Sequence, residues 1–211
     1  MRFEDLIHSN DIYLYLGDLP VQRRTYTNKN FIGLSLNKND QYHIKHDVVK
    51  HISLNDNTVN IVQSEDVMEH IEYHLLKDPI NEIYRILKPG GLFRLSMPDY
   101  SCDILYNRSK KDENGNLIFD SGGGGTYDEI NKKVGGGGHV WFPNFSSVKS
   151  LLETTDFLNE KINYLHYYDM DNNPVTNKID YNNGFISRTP DNDVRVQSPY
   201  RPMSIIVDCY K

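Results

Sequence analysis

The chain has 211 residues, with 23 Lys+Arg against 29 Asp+Glu for a formal charge of −6, and it contains no alanine. That length suits one domain with a real core, and the 15 Tyr and 8 Phe argue against disorder, because such side chains bury more area each than alanine would. The acidic balance disfavours nucleic acid or an anionic membrane as partner, since both need a positive surface.

No apolar run approaches the ~18 residues of a membrane helix, and the acidic start Met1-Arg-Phe-Glu-Asp5 does not read as a secretion signal. Cys102 and Cys209 supply neither a disulfide framework nor a metal-ligand spacing. A soluble, cytoplasmic protein is expected.

In chain order, the β-prone run 12–16 stops at Gly17-Asp18-Leu19-Pro20, and a second run, Phe31 to Leu36, follows a polar stretch. Residues 42–47 predict a short third strand. Residues 58–63 predict a fourth, introduced by the turn signal Asn55-Asp-Asn57. The period then changes. Val67, Met68, Ile71, Leu75, Ile80, Ile83, Ile86 and Leu87 fall mostly three or four apart, predicting one or two amphipathic helices broken near Asp78-Pro79, with Asp78 capping the second. Lys88-Pro-Gly-Gly91 is the stop: a cation at the negative helix end, then residues that leave the helix.

Residues 92–97 predict a fifth strand ending at Pro98-Asp99-Tyr100. Residues 101–140 read as irregular and hold eight of the 14 glycines in two runs, Gly122–Gly125 and Gly135–Gly138. A long glycine-rich loop inside a compact domain is expected to be functional or disordered. A helix over 145–154, capped by Asn144 or Ser146, precedes strands near 160–168 and 204–209, with a polar, turn-rich insertion around 170–200 between them. The alternation predicts an α/β, Rossmann-like, mostly parallel seven-stranded sheet with helices on both faces. Ligands of such sheets bind at the C-terminal strand ends.

The stretches Asp56-Asn-Thr-Val-Asn-Ile-Val-Gln-Ser-Glu-Asp-Val-Met-Glu-His-Ile71 and Asn81-Glu-Ile-Tyr-Arg-Ile-Leu-Lys-Pro-Gly-Gly-Leu-Phe-Arg-Leu-Ser-Met-Pro-Asp99 resemble the central half of a class I S-adenosylmethionine-dependent methyltransferase. Gly138-His-Val-Trp-Phe142 resembles the stretch after the fifth strand of such enzymes. The resemblance covers roughly residues 12–165. It departs from the family pattern twice: Leu16-Gly-Asp-Leu-Pro20 has one glycine where the family has a glycine-rich motif, and Ser35 stands near where an acid grips the ribose. The span from Gly17 to Asn30 is too short for the usual first helix, which implies a shortened N-terminal crossover.

The resemblance implies S-adenosylmethionine as cofactor, contacted by Gly17, Asp18, Ser35, Leu36, Asp47, Val48, Ser64 and Glu65, with Asp47 toward the adenine. Each also reads as an ordinary turn, cap or surface residue. For the base that methyl transfer to oxygen requires, the candidates are His139, between a glycine run and Trp141-Phe142, then Asp99 and Asp66. His139 reads equally as a loop histidine packed for shape. No His, Asp or Glu cluster has metal-ligand spacing and no metal site is predicted, although the many carboxylates leave a divalent cation open.

The expected activity is transfer of a methyl group to a hydroxyl of a sugar or glycan, with residues 101–140 as an acceptor loop and 170–200 as a covering insertion in one domain, 1–211. Two alternatives stay open. One is another small-molecule or protein acceptor; the other is a non-catalytic binding domain that keeps the fold.

Overall fold

The computed structural model describes residues 1–24 and 26–211 in full. The β-prone runs of the first half become β1 (Tyr13–Leu16), the six-residue helix α1 (Val21–Tyr26), β2 (Phe31–Ser35), β3 (His43–Lys45) and β4 (Val59–Glu65). Helix α2 (Lys77–Ile86) leads into β5 (Leu87–Pro98), and α3 (Asp103–Arg108) into two hairpins: β6 (Lys110–Lys111) with β7 (Leu117–Phe119), and β8 (Thr126–Asp128) with β9 (Lys133–Gly135). Helix α4 (Phe145–Leu152), β10 (Ile162–Tyr168), β11 (Pro174–Thr176) and β12 (Ser204–Tyr210) complete the chain. Among the described residues no helix is long and apolar enough to cross a membrane.

The α/β architecture is as expected, with corrections in detail. The sheet has eight strands in the order β11-β10-β12-β5-β4-β1-β2-β3. The eighth, β11, pairs antiparallel with β10 at the edge. Strands β1 to β5 pair in parallel, and β12 and β10 add antiparallel.

Residues 67–76 are not the first turns of a long helix. They form two single 3-10 turns, Met68–His70 and Tyr73–Leu75, before α2. Nor does Asp78 cap α2: Leu76 occupies the cap without a side-chain bond, and Asp78 lies in the first turn. There its charge still faces the positive helix end. Asn144 caps α4 as expected, accepting from the Ser147 amide at 2.9 Å.

Side-chain alternation divides the sheet into two faces. Leu14, Leu16, Val62, Phe93, Leu95, Met97, Ile205 and Val207 point to one, where Ile80, Ile83 and Ile86 of α2 and Val148, Leu151 and Leu152 of α4 close the main core. The opposite face carries Tyr15, Ile61 and Leu92 together with polar side chains. Arg94, fully buried, donates to both carboxylate oxygens of Asp208, its register partner on β12, at 2.8 and 2.7 Å. It also donates to the carbonyls of Asp180 and Gly184.

Gln63, beside Arg94 on β4, donates to Phe185 O at 2.6 Å. Glu65 accepts from Arg23 of α1 at 2.8 Å and from both the amide and hydroxyl of Ser187. This face is therefore covered by one short helix and by the segment 179–188. Residues 179–188 of the insertion thus close this face of the sheet, and Arg188 pairs with Asp66.

Candidate active site

In this strand order β1 lies between β4 and β2, so the chain leaves the sheet in opposite directions at that point, the position where open α/β sheets bind ligands. A cleft of about 430 Å³ opens there. Gly17, Asp18, Leu36, Asp47, Val48 and Asp66, all singled out from sequence, line it.

Gly17 has φ +95°, a left-handed conformation that a side chain would strain, and its amide donates to Leu34 O at 2.8 Å. The turn after it is fixed from below by His43, buried on β3, whose Nε2 accepts from the Leu19 amide at 3.1 Å. Asp18 accepts from the Ser35 hydroxyl and pairs with Lys38 at 2.9 Å. The Ser35 bond and then Lys38 hold its carboxyl below the usual range, so it presents a negative charge to the cleft.

Three candidates are placed differently. Ser35 is buried beneath the cleft and acts through Asp18. Ser64 is fully buried and its hydroxyl has no partner. Glu65 points to the opposite face, into the Arg23 and Ser187 bonds. The alternation of β4 dictates this: of three consecutive residues, only Asp66, at φ +58° beyond the strand end, turns into the cleft.

The three base candidates also separate. Asp66 lines the cleft, and its carboxyl is raised to about 6 by burial, against the pull of Arg188, which pairs with Oδ1. Arg188 thus reaches a cleft residue, whereas Arg195 pairs locally with Asp193 at 2.6 Å. Asp99 is fully buried and accepts from the Ser101 and Tyr168 amides at 3.0 and 3.1 Å, which occupies both oxygens.

His139 is buried at the end of a chain of bonds. Its Nδ1 lies 2.5 Å from the Tyr100 hydroxyl, which donates to Asp120 at 2.7 Å, and Asp120 pairs with Arg108 at 2.6 Å. Burial, then the nearby His70, pushes the His139 imidazole down to about 4, so it is neutral at pH 7. Glu69, fully buried beside it, has its carboxyl pushed well above the usual range by burial and by Asp66.

The stretch 101–140 is ordered rather than irregular, and its glycines serve packing. A Cβ on Gly123 would stand 2.6 Å from the His139 ring. One on Gly125, at φ +72°, would stand 2.3 Å from Gly135 O. The two glycine runs therefore close the base of the β8–β9 hairpin against each other and seat His139. Gly137 reaches the smaller cleft, while Val134 lines a second cleft of about 850 Å³ with Lys110, Tyr127 and Phe142.

Sequence reasoning passed over several cleft residues: Leu34, His46, Val67, Ile71 and Gly137, and it gave His70 no role there. His70 carried a signal, since it sits in the Glu-His-Ile stretch. Arg188 carried none, because its partner lies 122 residues away.

A methyltransferase-domain family model matches residues 25–95, and no curated protein matches the sequence. Over 99% of its length the chain aligns with 90% of a SAM-dependent methyltransferase from Archaeoglobus fulgidus, at 13% identity and a TM-score of 0.54. A second such enzyme, from Methanosarcina mazei, aligns over 99% of this chain and 96% of its own at 11% identity and a TM-score of 0.50. A third, from Thermotoga maritima, aligns over 95% and 81% at 11% identity and a TM-score of 0.52. Residues 25–95 thus resemble a methyltransferase domain, and the whole chain shares the fold of SAM-dependent methyltransferases.

Proposed function

We propose that the protein transfers the methyl group of S-adenosylmethionine to a hydroxyl oxygen of a small polar acceptor, a sugar unit of a glycan. The observation that carries this reading is the cleft at the switch point of the sheet, lined by Gly17, Asp18, Leu36, Asp47 and Val48. Gly17 lets the backbone approach a ligand closely, while Leu36 and Val48 offer apolar surface to a base. Asp18 and Asp47 offer acceptors to hydroxyl or amino groups. In the reaction the acceptor oxygen displaces sulfur in line: a C–O bond forms, the C–S bond breaks, and the sulfur loses its positive charge.

The acceptor proton must leave, and a group with pKa near the working pH takes it best. Among the three candidates Asp66 alone lines the cleft, so it is assigned as the base, with Arg188 holding its carboxylate in place. The larger cleft beside the hairpins, with Phe142 and Tyr127 among Lys110, Lys132 and Glu72, suits a polyhydroxylated acceptor that offers both apolar ring faces and hydroxyls.

Titration calorimetry with S-adenosylhomocysteine tests the cofactor half. Saturable binding is expected, weakened at least tenfold in Asp47→Ala; no heat at millimolar ligand sinks the reading. Transfer of labelled methyl to an oligosaccharide panel tests the acceptor half. Asp66→Asn is expected to lower it well over tenfold while cofactor affinity stays near normal.

A further inference from the structure

Glu69, His70 and His139 each bring one ligand atom to a common point, all within 4.8 Å of one another. Backbone bonds assemble them. The Val140 amide donates to Glu69 O at 2.9 Å and Trp141 Nε1 to Met68 O at 3.0 Å, lacing the segment 139–141 onto the turn that carries Glu69 and His70. The rings of His70 and His139 meet edge to face at 4.7 Å.

The proton arrangement around His139 follows from its neighbours. Asp120 is ion-paired with Arg108 and accepts from the Tyr100 hydroxyl and the Gly122 amide, so it serves as acceptor only. The single Tyr100 proton goes to Asp120, and the Tyr100 oxygen then accepts from His139 Nδ1–H. His139 Nε2 is left with a bare lone pair, 3.6 Å from Glu69 Oε1. Glu69 is fully buried and neither of its oxygens has a hydrogen-bond partner among the described residues.

A bare imidazole lone pair thus faces an unpartnered carboxyl in the interior, an arrangement that buried polar groups tolerate poorly and that a cation between them, displacing the carboxyl proton to solvent, resolves. Their separation is close to the ~3.3 Å between ligand atoms of a tetrahedral ion with bonds of about 2.0–2.1 Å. The Arg108–Asp120–Tyr100 chain supplies what metal-bound histidines ordinarily have, a partner on the other ring nitrogen that fixes tautomer and orientation.

We propose that Glu69, His70 and His139 bind a divalent first-row transition-metal ion, with its remaining coordination positions turned toward the cleft that His70 lines. Two imidazoles and one carboxylate favour Zn²⁺ over Mg²⁺ or Ca²⁺, which prefer all-oxygen sets. The site stands without the methyl-transfer reading; only its use rests on that reading. There the ion would hold the acceptor hydroxyl and make its proton easier for Asp66 to remove.

Equilibrium dialysis of chelator-treated protein against ZnCl₂ tests the site. One equivalent of Zn²⁺ is expected to bind at micromolar or lower free metal, undisplaced by millimolar Mg²⁺, and to raise the thermal midpoint. Binding should weaken by more than about 100-fold in Glu69→Gln and in His70→Ala, and by about 10- to 100-fold in Tyr100→Phe, a positioning variant. His70 is exposed, so its variant keeps the fold even where Glu69→Gln does not, and His74→Ala, another exposed histidine, should leave binding unchanged.

Failure to bind one equivalent, or equal binding by wild type and His70→Ala, overturns the proposal. Calorimetry with S-adenosylhomocysteine on the chelated protein keeps the two readings apart. Cofactor binding without zinc binding removes the metal site alone. Zinc binding without cofactor binding removes the methyl-transfer reading alone.

Discussion

On one face of the sheet, α2 and α4 press Ile80, Ile83, Val148 and Leu151 onto Phe93, Leu95 and Leu16. On the other, Arg94, Asp208, Gln63 and Glu65 are closed over by carbonyls and hydroxyls of the segment 179–188. The apolar face gains from every Å² removed from water, at roughly 25 cal/mol each, and tolerates small shifts of its partners. The polar face gains little net, because desolvating Arg94 and Asp208 offsets most of their attraction. What it gains is register: each bond is made only when one residue of the covering segment sits over one residue of the sheet. The helices hold the sheet together, while the polar face fixes where an irregular segment lies and where Arg188 reaches Asp66.

Truncation separates the two faces most sharply. Phe93→Ala should cost about 3–5 kcal/mol through lost burial and a cavity, read as a shift in the urea midpoint. Arg94→Leu should cost a similar ~3–5 kcal/mol because it strands a buried carboxylate. Pairing it with Asp208→Leu should recover part of that loss, leaving a deficit of about 2 kcal/mol from the orphaned Asp180 and Gly184 carbonyls. A double variant as unstable as Arg94→Leu would mean that the ion pair itself, rather than its removal by halves, holds this face.

Asp99 gives a pH-dependent test at the boundary between sheet and site. Its carboxyl is raised from 3.8 to about 6, by burial and against the pull of the Ser101 and Tyr168 amides. A folded pKa above the unfolded one means that protonation favours the fold. The contribution is complete below about pH 4 and is lost as pH rises through 6. Relative to Asp99→Asn, the wild-type protein should therefore gain on the order of 2–3 kcal/mol between pH 7 and pH 4, followed by denaturant titration across that range. The smallest effect belongs to the apolar face: Asn144→Ala removes the α4 cap and should cost about 1 kcal/mol in thermal stability.

The apolar face was legible in the sequence because its rules are local. The β-prone runs 12–16 and 92–97 and the three-four spacing through 80–87 need no knowledge of distant residues. The cleft was legible for the same reason, since Gly17, Asp47 and Asp66 each end a predicted strand. What stayed hidden depends on pairs far apart in the chain. Glu69 and His139 are brought together by the Val140 amide bond, and no spacing rule reaches across that gap. Glu65 and Asp66 are neighbours that serve opposite faces, which only the strand's own pleat decides. The glycine runs read as a long irregular loop and are closely packed, because their partners are each other.

The covering of the polar face bonds to sheet residues that precede it by 122 positions at Gln63 and Glu65, and to Arg23 of α1, 164 positions earlier. On a ribosome, β1 to β5 and α2 emerge long before residue 187 does, and α2, adjacent in sequence to β5, can settle at once. The other face must wait. Because it presents Arg94, Gln63 and Glu65 to water in that interval, instead of an unbroken apolar surface, the growing chain has little there for a neighbouring chain to stick to. Residues that add little net stability to the finished protein thus spare its unfinished form an unbroken apolar surface.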